Sequence, residues 1–161
     1  MDANETGIVC SGAGWAEAVF INYAMITHNG DGLLASGSCQ LTLWNSVVGY
    51  NEDRGLLSAS STLWHNHIVG NGVGVETDGG WDMMTRNIVE QNQTGVLLGP
   101  HPVRAALNLN HLEDQSDYSV IYVGGLNDGV VNAERNWWGA ASGPKIASDI
   151  WDFFDDVSLY Y

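Results

Sequence analysis

Two landmarks recur along this chain with a common period of about 22 residues, and they restrict the fold more than any other feature. The first is a small residue followed by aliphatics. It appears as Gly7-Ile8-Val9, Gly32-Leu33-Leu34, Gly55-Leu56-Leu57, Gly74-Val75-Glu76, Gly95-Val96-Leu97 and Ser119-Val120-Ile121, at spacings of 25, 23, 19, 21 and 24. The second is an Asn before an apolar pair: Asn45-Ser46-Val47-Val48, Asn66-His67-Ile68-Val69, Asn87-Ile88-Val89, Asn110-His111-Leu112 and Asn136-Trp137-Trp138. These five are 21, 21, 23 and 26 residues apart, and Asn22 is a weaker earlier member. A unit of this length cannot enclose a core alone and must shelter its apolar face on its neighbours.

Alternation within the unit predicts strands. Ile8, Leu33, Leu56, Val75, Val96 and Val120 share a face with the residues two further on, Cys10, Ala35, Ser58, Thr77, Leu98 and Tyr122. No segment carries the ten or so residues at 3.6-residue spacing that a helical repeat needs. The fold expected is all-β, a right-handed parallel β-helix forming one domain over 1–161. It has about six coils, roughly 7–31, 32–54, 55–73, 74–94, 95–118 and 119–144, with a cap over 145–161. Ile146, Ile150 and Phe153 or Phe154 have helical spacing, so a short cap helix is predicted there. Stacked coils lie ~4.8 Å apart and should place Val47, Ile68, Val89 and Leu112 in one interior file. Asn45, Asn66, Asn87, Asn110 and Asn136 should form a hydrogen-bonded column at one corner.

The units Asn66-His-Ile-Val-Gly-Asn71 and Asn87-Ile-Val-Glu-Gln-Asn92-Gln-Thr-Gly95-Val96 resemble the right-handed β-helix repeats of pectate-lyase-like proteins. The run Asn136-Trp137-Trp138-Gly139 with Ser142-Gly143-Pro144 resembles the closing motif of many archaeal and bacterial surface β-helix proteins. Similar repeats occur in surface-layer-associated proteins, phage tailspikes, polysaccharide lyases and hydrolases, and the periplasmic copper-accessory protein of nitrous oxide reduction. The resemblance implies the fold but fixes no function.

Charge narrows the partners. Five basic against 19 acidic residues leave a formal net charge of −14. Such a surface repels nucleic acid and anionic membranes, and no apolar run approaches the ~20 residues of a membrane span. Met1–Ser11 has no basic, apolar signal-peptide pattern. An extracellular or cell-surface location is nevertheless expected. Cys10 and Cys39 fall at different offsets in the repeat, so direct stacking is not implied and free structural thiols are expected.

No catalytic motif can be carried over. A cluster suited to carbohydrate comprises Asp78, Trp81, Asp82 and Arg86, with His101 and Arg104 one coil further on. Carboxylates beside an aromatic suit sugar binding, and an Asp cluster with a basic neighbour would suit Ca²⁺. Asp78-Gly79-Gly80 is also a turn signal. His67 and His111 occupy one repeat position two coils apart, ~9.6 Å by strand spacing, which is too far to share a metal ion. No metal site and no bound cofactor is predicted from this pattern. The middle residues of the first strands, Val9, Leu34, Leu57, Leu97 and Ile121, should face outward although they are aliphatic. That stripe points to self-association or to contact with other surface proteins. The leading expectation is a structural or interaction module that assembles into oligomers or filaments. The alternative is a polysaccharide-binding or lyase-like domain.

Overall fold

A computed structural model describes residues 4–99, 103–124, 129–139 and 149–151, with the side chains of residues 14–16 and 103 left aside. The chain is an all-β parallel solenoid of about five turns. Its first strands are β1 (Asn4–Asn22), β2 (Met25–Thr27), β3 (Asn29–Trp44), β4 (Val47–Gly49) and β5 (Arg54–Ser58). There follow β6 (Ser61–Trp64), β7 (His67–Val69), β8 (Val73–Thr77), β9 (Gly80–Thr85) and β10 (Ile88–Glu90). The last are β11 (Thr94–Leu98), β12 (Val103–Asn108), β13 (His111–Glu113), β14 (Val120–Tyr122), β15 (Gly129–Asn132) and β16 (Ile150–Trp151).

Three faces result. The first carries the front half of β1 and of β3, then β5, β8, β11, β14 and β16. The second carries the back half of β1 and of β3, then β6, β9, β12 and β15. The third is β2, β4, β7, β10 and β13, continued by the bridge from His111 to Trp137. All pairings are parallel and hold the repeat register, so Leu33 stacks on Leu56, Val75, Val96 and Val120. Each face sends one set of side chains inward. Leu33, Leu56, Val75 and Val96 from the first, Leu43, Leu63, Met84 and Leu107 from the second, and Val48, Ile68, Val89 and Leu112 from the third fill a continuous core, all at most 1% exposed.

The corners decide the register. Two of the three turns of a coil place a residue in the left-handed region, and from the second coil on an amide or hydroxyl follows it among the described residues. One corner runs Tyr23, Asn45, His65, Arg86, Leu109 and Arg135, with φ between 46° and 61°. Behind it stand Ser46, Asn66, Asn87, Asn110 and Asn136 as a ladder. The backbone N–H of Ser46 donates to Asn66 Oδ1 (3.0 Å), Asn66 to Asn87 (2.9 Å), Asn87 to Asn110 (2.9 Å) and Asn110 to Asn136 (2.9 Å). The Nδ2 of Asn66, Asn87 and Asn110 donates to the next Oδ1 and also to a carbonyl of the preceding coil, as Asn66 does to Leu43 O at 2.7 Å; the last, Asn136, donates to Leu107 O and Ala133 O. The ladder N–H groups and the carbonyls of Leu43, Leu63, Met84 and Leu107 therefore find partners inside the column.

A second ladder was not anticipated. His28, Tyr50, Gly70, Gln91 and Asp114 are left-handed. They precede Asn29, Asn51, Asn71, Asn92 and Gln115, in which each Asn main-chain N–H donates to the side-chain oxygen of the next member at 3.0–3.1 Å and each Asn Nδ2 does so at 2.9–3.2 Å. This ladder explains the glycine of the repeat. A Cβ added at Gly32 would lie 2.5 Å from Gly55 O and 2.8 Å from Asn51 Nδ2, and Gly55 and Gly74 meet the next glycine and ladder Asn in the same way. It also buries Asn92 to 1% exposure.

Four expectations need correction. Asn45 is not a ladder member. It occupies the left-handed position itself and donates to Asn22 Oδ1, while Ser46 takes the ladder site. The strand that follows is shifted by one, so Val48 joins the interior file and Val47 faces out beside His67. Cys10 and Cys39 form a disulfide rather than two thiols, with Cα atoms 6.2 Å apart. Their offsets differ because one ends the first face and the other begins the second, and the corner without a ladder brings those inner ends together. Closing a loop of this length contributes about 3–4 kcal/mol in the chain-entropy picture. Finally, Ile150 and Trp151 pair with Val120 and Ile121 as a parallel strand instead of sitting on a helix. The remainder of the expected cap, and Ser142-Gly143-Pro144, lie outside the described residues.

Removing one ladder amide should cost more than removing an exposed one. Asn87→Ala strands the Asn66 N–H and Nδ2 and the Leu63 carbonyl, all buried, and should destabilise by roughly 3–5 kcal/mol. Asn45→Gly, which keeps the left-handed corner unstrained and loses one exposed bond, should cost about 1 kcal/mol or less. Urea midpoints of the two variants check this; equal losses would contradict the ladder assignment.

Candidate functional site

The residues proposed for carbohydrate divide into an outward group, a buried acid and a corner arginine. The turn Asp78-Gly79-Gly80 joins the first face to the second, with φ of 105° at Gly79 and 96° at Gly80. A Cβ at Gly80 would collide with the Ala59 carbonyl. The turn reading of this motif is thus its structural role, and it sets the phase of β9. From there the side chains alternate: Trp81 and Met83 point out, Asp82 and Met84 point in.

The outward group is compact. Arg104 on β12 pairs with Trp81 in register and lays its guanidinium over the indole, 5.2 Å from the ring centroid. Trp81 (64% exposed), Met83, Arg104, Ala106 and Val130 (70% exposed) line a shallow, mainly apolar hollow of about 400 Å³. Trp81 and Arg104 are therefore neighbours, as the spacing suggested. Asp78 is exposed at the turn, and His101 lies outside the described residues.

Asp82 is 2% exposed and belongs to the interior. One carboxylate oxygen accepts from Ser61 Oγ at 2.7 Å; the other, and the Thr77 hydroxyl on the adjoining inner corner, are buried without a well-formed hydrogen bond. Burial pushes the acid up from 3.8 to about 6, against smaller opposing contributions from the Ser61 hydroxyl, the Ser61 backbone and Thr77. Asp82 thus turns inward while Trp81 turns out, although both border the same hollow, and Asp78 lies exposed at the turn before them. Among the described residues no group of three or more His, Cys, Asp or Glu could hold a metal ion.

Arg86 sits apart from Trp81, in the left-handed corner position after β9. It borders a separate groove of about 460 Å³ together with Asn45, Val47, His65, His67 and Ile88. His65 stacks on Trp64 with centroids 4.4 Å apart, and Trp64 meets Trp44 edge to face at 5.7 Å. His67 Nε2 lies 2.8 Å from Glu90 Oε1. This groove follows from the corner file, and periodicity would have found it only if the residue before each Asn had been aligned as a column. His67 and His111 do flank Ile88 in one outward file, as the repeat predicted.

The outward aliphatic file is present on the first face. Val9, Leu34, Leu57, Leu97 and Ile121 stack in register with Glu76 among them; Val9 is 59% exposed and the others are half-buried. Glu76 is tolerated there because Arg54 reaches it at 3.4 Å while forming a two-pronged bond to Asp31 at 2.7 and 3.1 Å. The hydrogen bond to Asp31 is the main reason the guanidinium is held above its ordinary value.

No family model, curated protein or solved structure matches this chain.

The buried acid has a pH signature. Its folded value lies above the unfolded one, so the native state holds the proton more tightly. The favourable contribution is complete below about pH 4 and disappears as pH rises through about 6. At pH 7 the ionised acid then opposes folding by up to about 3 kcal/mol. Asp82→Asn should raise the thermal midpoint at pH 7 and leave it little changed at pH 4. An unaltered or lowered midpoint at pH 7 would contradict this.

Proposed function

We propose that this chain is a non-catalytic interaction module of an extracellular or cell-surface protein, a rigid column whose outward faces contact other copies or other surface proteins. The observation that carries the reading is the outward file of Val9, Leu34, Leu57, Leu97 and Ile121. Aliphatics repeated at solvent-facing positions of a parallel strand stack are favourable when something covers them. The Cys10–Cys39 disulfide suits an oxidising compartment. The net charge of −14 opposes association at low salt and permits it when screened. The terminal Asn136-Trp137-Trp138-Gly139 resemblance to surface β-helix proteins, within the pectate-lyase-like group, agrees with this placement.

A second reading, binding of polysaccharide, rests on the Trp81–Arg104 hollow. An exposed indole backed by a cation offers a sugar ring a flat apolar platform and hydrogen-bond donors.

Light scattering across a salt series separates the two. The first reading expects mass above the monomer at high salt, lost in a Leu34→Lys/Leu97→Lys variant that keeps the native β-sheet spectrum. A chain that stays monomeric at every salt concentration overturns it. If its Trp fluorescence also responds to neutral oligosaccharides, and ceases to in Trp81→Ala, the second reading takes its place.

A further inference from the structure

We propose that the corner groove around His65, His67 and Arg86 is an oxyanion-binding site that takes a phosphate or sulfate group, free or carried on a sugar. In a chain with five Lys and Arg against 19 Asp and Glu, a single groove collects an arginine and two histidines. The stacking places them there. His65 and Arg86 are consecutive members of the left-handed corner file, one coil apart, and His67 projects from the same coil as His65 with the buried ladder residue Asn66 between them.

Each donor is held ready. His65 is fixed by its stack on the Trp64 indole. His67 is engaged by Glu90: its Nε2–H donates to the carboxylate, which leaves the other nitrogen of the neutral ring an acceptor, so His67 walls the groove and the donors to a ligand are Arg86 and His65. Arg86 is exposed and makes no salt bridge among the described residues, so its planar fork of N–H donors is available for the two-pronged recognition of an oxyanion. The floor does not compete for the ligand: Ser46 and Asn66 spend their polar atoms within the ladder and on neighbouring backbone. Glu90 is occupied by His67, and Val47 and Ile88 give the groove apolar walls. The groove is also distinct from the Trp81–Arg104 hollow, which shares no lining residue with it.

The left-handed backbone at these positions allows a clean test, because Asn adopts that conformation readily. Arg86→Asn and His65→Asn replace the charged fork and the ring with a short neutral amide without straining the corner. Calorimetric titration of the full chain with inorganic phosphate, glucose 6-phosphate and glucose would use the wild type and both variants. Saturable binding of phosphate or glucose 6-phosphate, weakened at least about tenfold in Arg86→Asn and reduced in His65→Asn, is expected. Unchanged thermal midpoints would show that the variants are folded. Tighter binding of glucose 6-phosphate than of phosphate assigns the group to a sugar; equal binding assigns a free oxyanion. Glucose binding as tightly as its phosphate, retained affinity in Arg86→Asn, or no binding of either anion to the wild type would overturn the proposal.

Discussion

The interaction on which this fold depends is the amide-to-amide hydrogen bond repeated up two corners of the column. A solenoid coil must turn three times, and each turn takes backbone N–H and C=O groups away from the sheet ladders. Buried and unpaired, each such group would cost about 1–3 kcal/mol. The stacked Asn side chains supply both an acceptor and two donors at every level, so Asn66, Asn87 and Asn110 satisfy the coils above and below them simultaneously. The same bonds hold the adjoining residues at positive φ, a conformation that costs a side chain such as Tyr50 or Leu109 roughly 1–2 kcal/mol on its own. They also demand glycine at the strand opening, where a Cβ would press on the ladder amide. The sequence period is thus the footprint of a hydrogen-bond pattern as much as of an apolar one.

That division of labour leaves the outside free to vary. Interior files and ladder positions carry the stability, while alternate residues on every strand project outward with no structural duty. Each candidate surface uses such positions: the aliphatic file on the first face, the Trp81–Arg104 hollow on the second, and the corner groove between the second and third. Among the described residues the third corner has no ladder. It varies most in length and relies on other devices, a bulge between Gly12 and Glu17, the Gly79-Gly80 turn and the Cys10–Cys39 disulfide.

The fold was legible because the two landmarks report stacking directly. Ile8 through Val120 and Ile68 through Leu112 fell into the interior files that alternation assigned them. The errors have a common physical origin. A period identifies residues that stack vertically, but says little about which groups meet across a corner. Cys10 reaches Cys39, and Thr77 comes near Asp82, through that lateral proximity. Asn45 misled because Asn satisfies two neighbouring requirements, the left-handed corner and the ladder, and a Ser one residue later can meet the second. Of the carbohydrate candidates, Trp81 and Arg104 were brought together by register alone. Asp82 was lost because its inward phase is set by the two glycines before it, and Arg86 belonged to a column of corner residues with no shared chemistry to betray it.

Amide hydrogen exchange at the ladder corners tests the central claim most directly. The backbone N–H groups of Ser46, Asn51, Asn66, Asn71 and Asn87 lie outside the strands and donate to side-chain oxygens of the next coil. If these bonds hold the column together, those amides exchange as slowly as core strand amides such as Leu56 and Val75, opening only with global unfolding. Exchange at rates typical of solvated turns, with the strand amides still protected, would contradict the account.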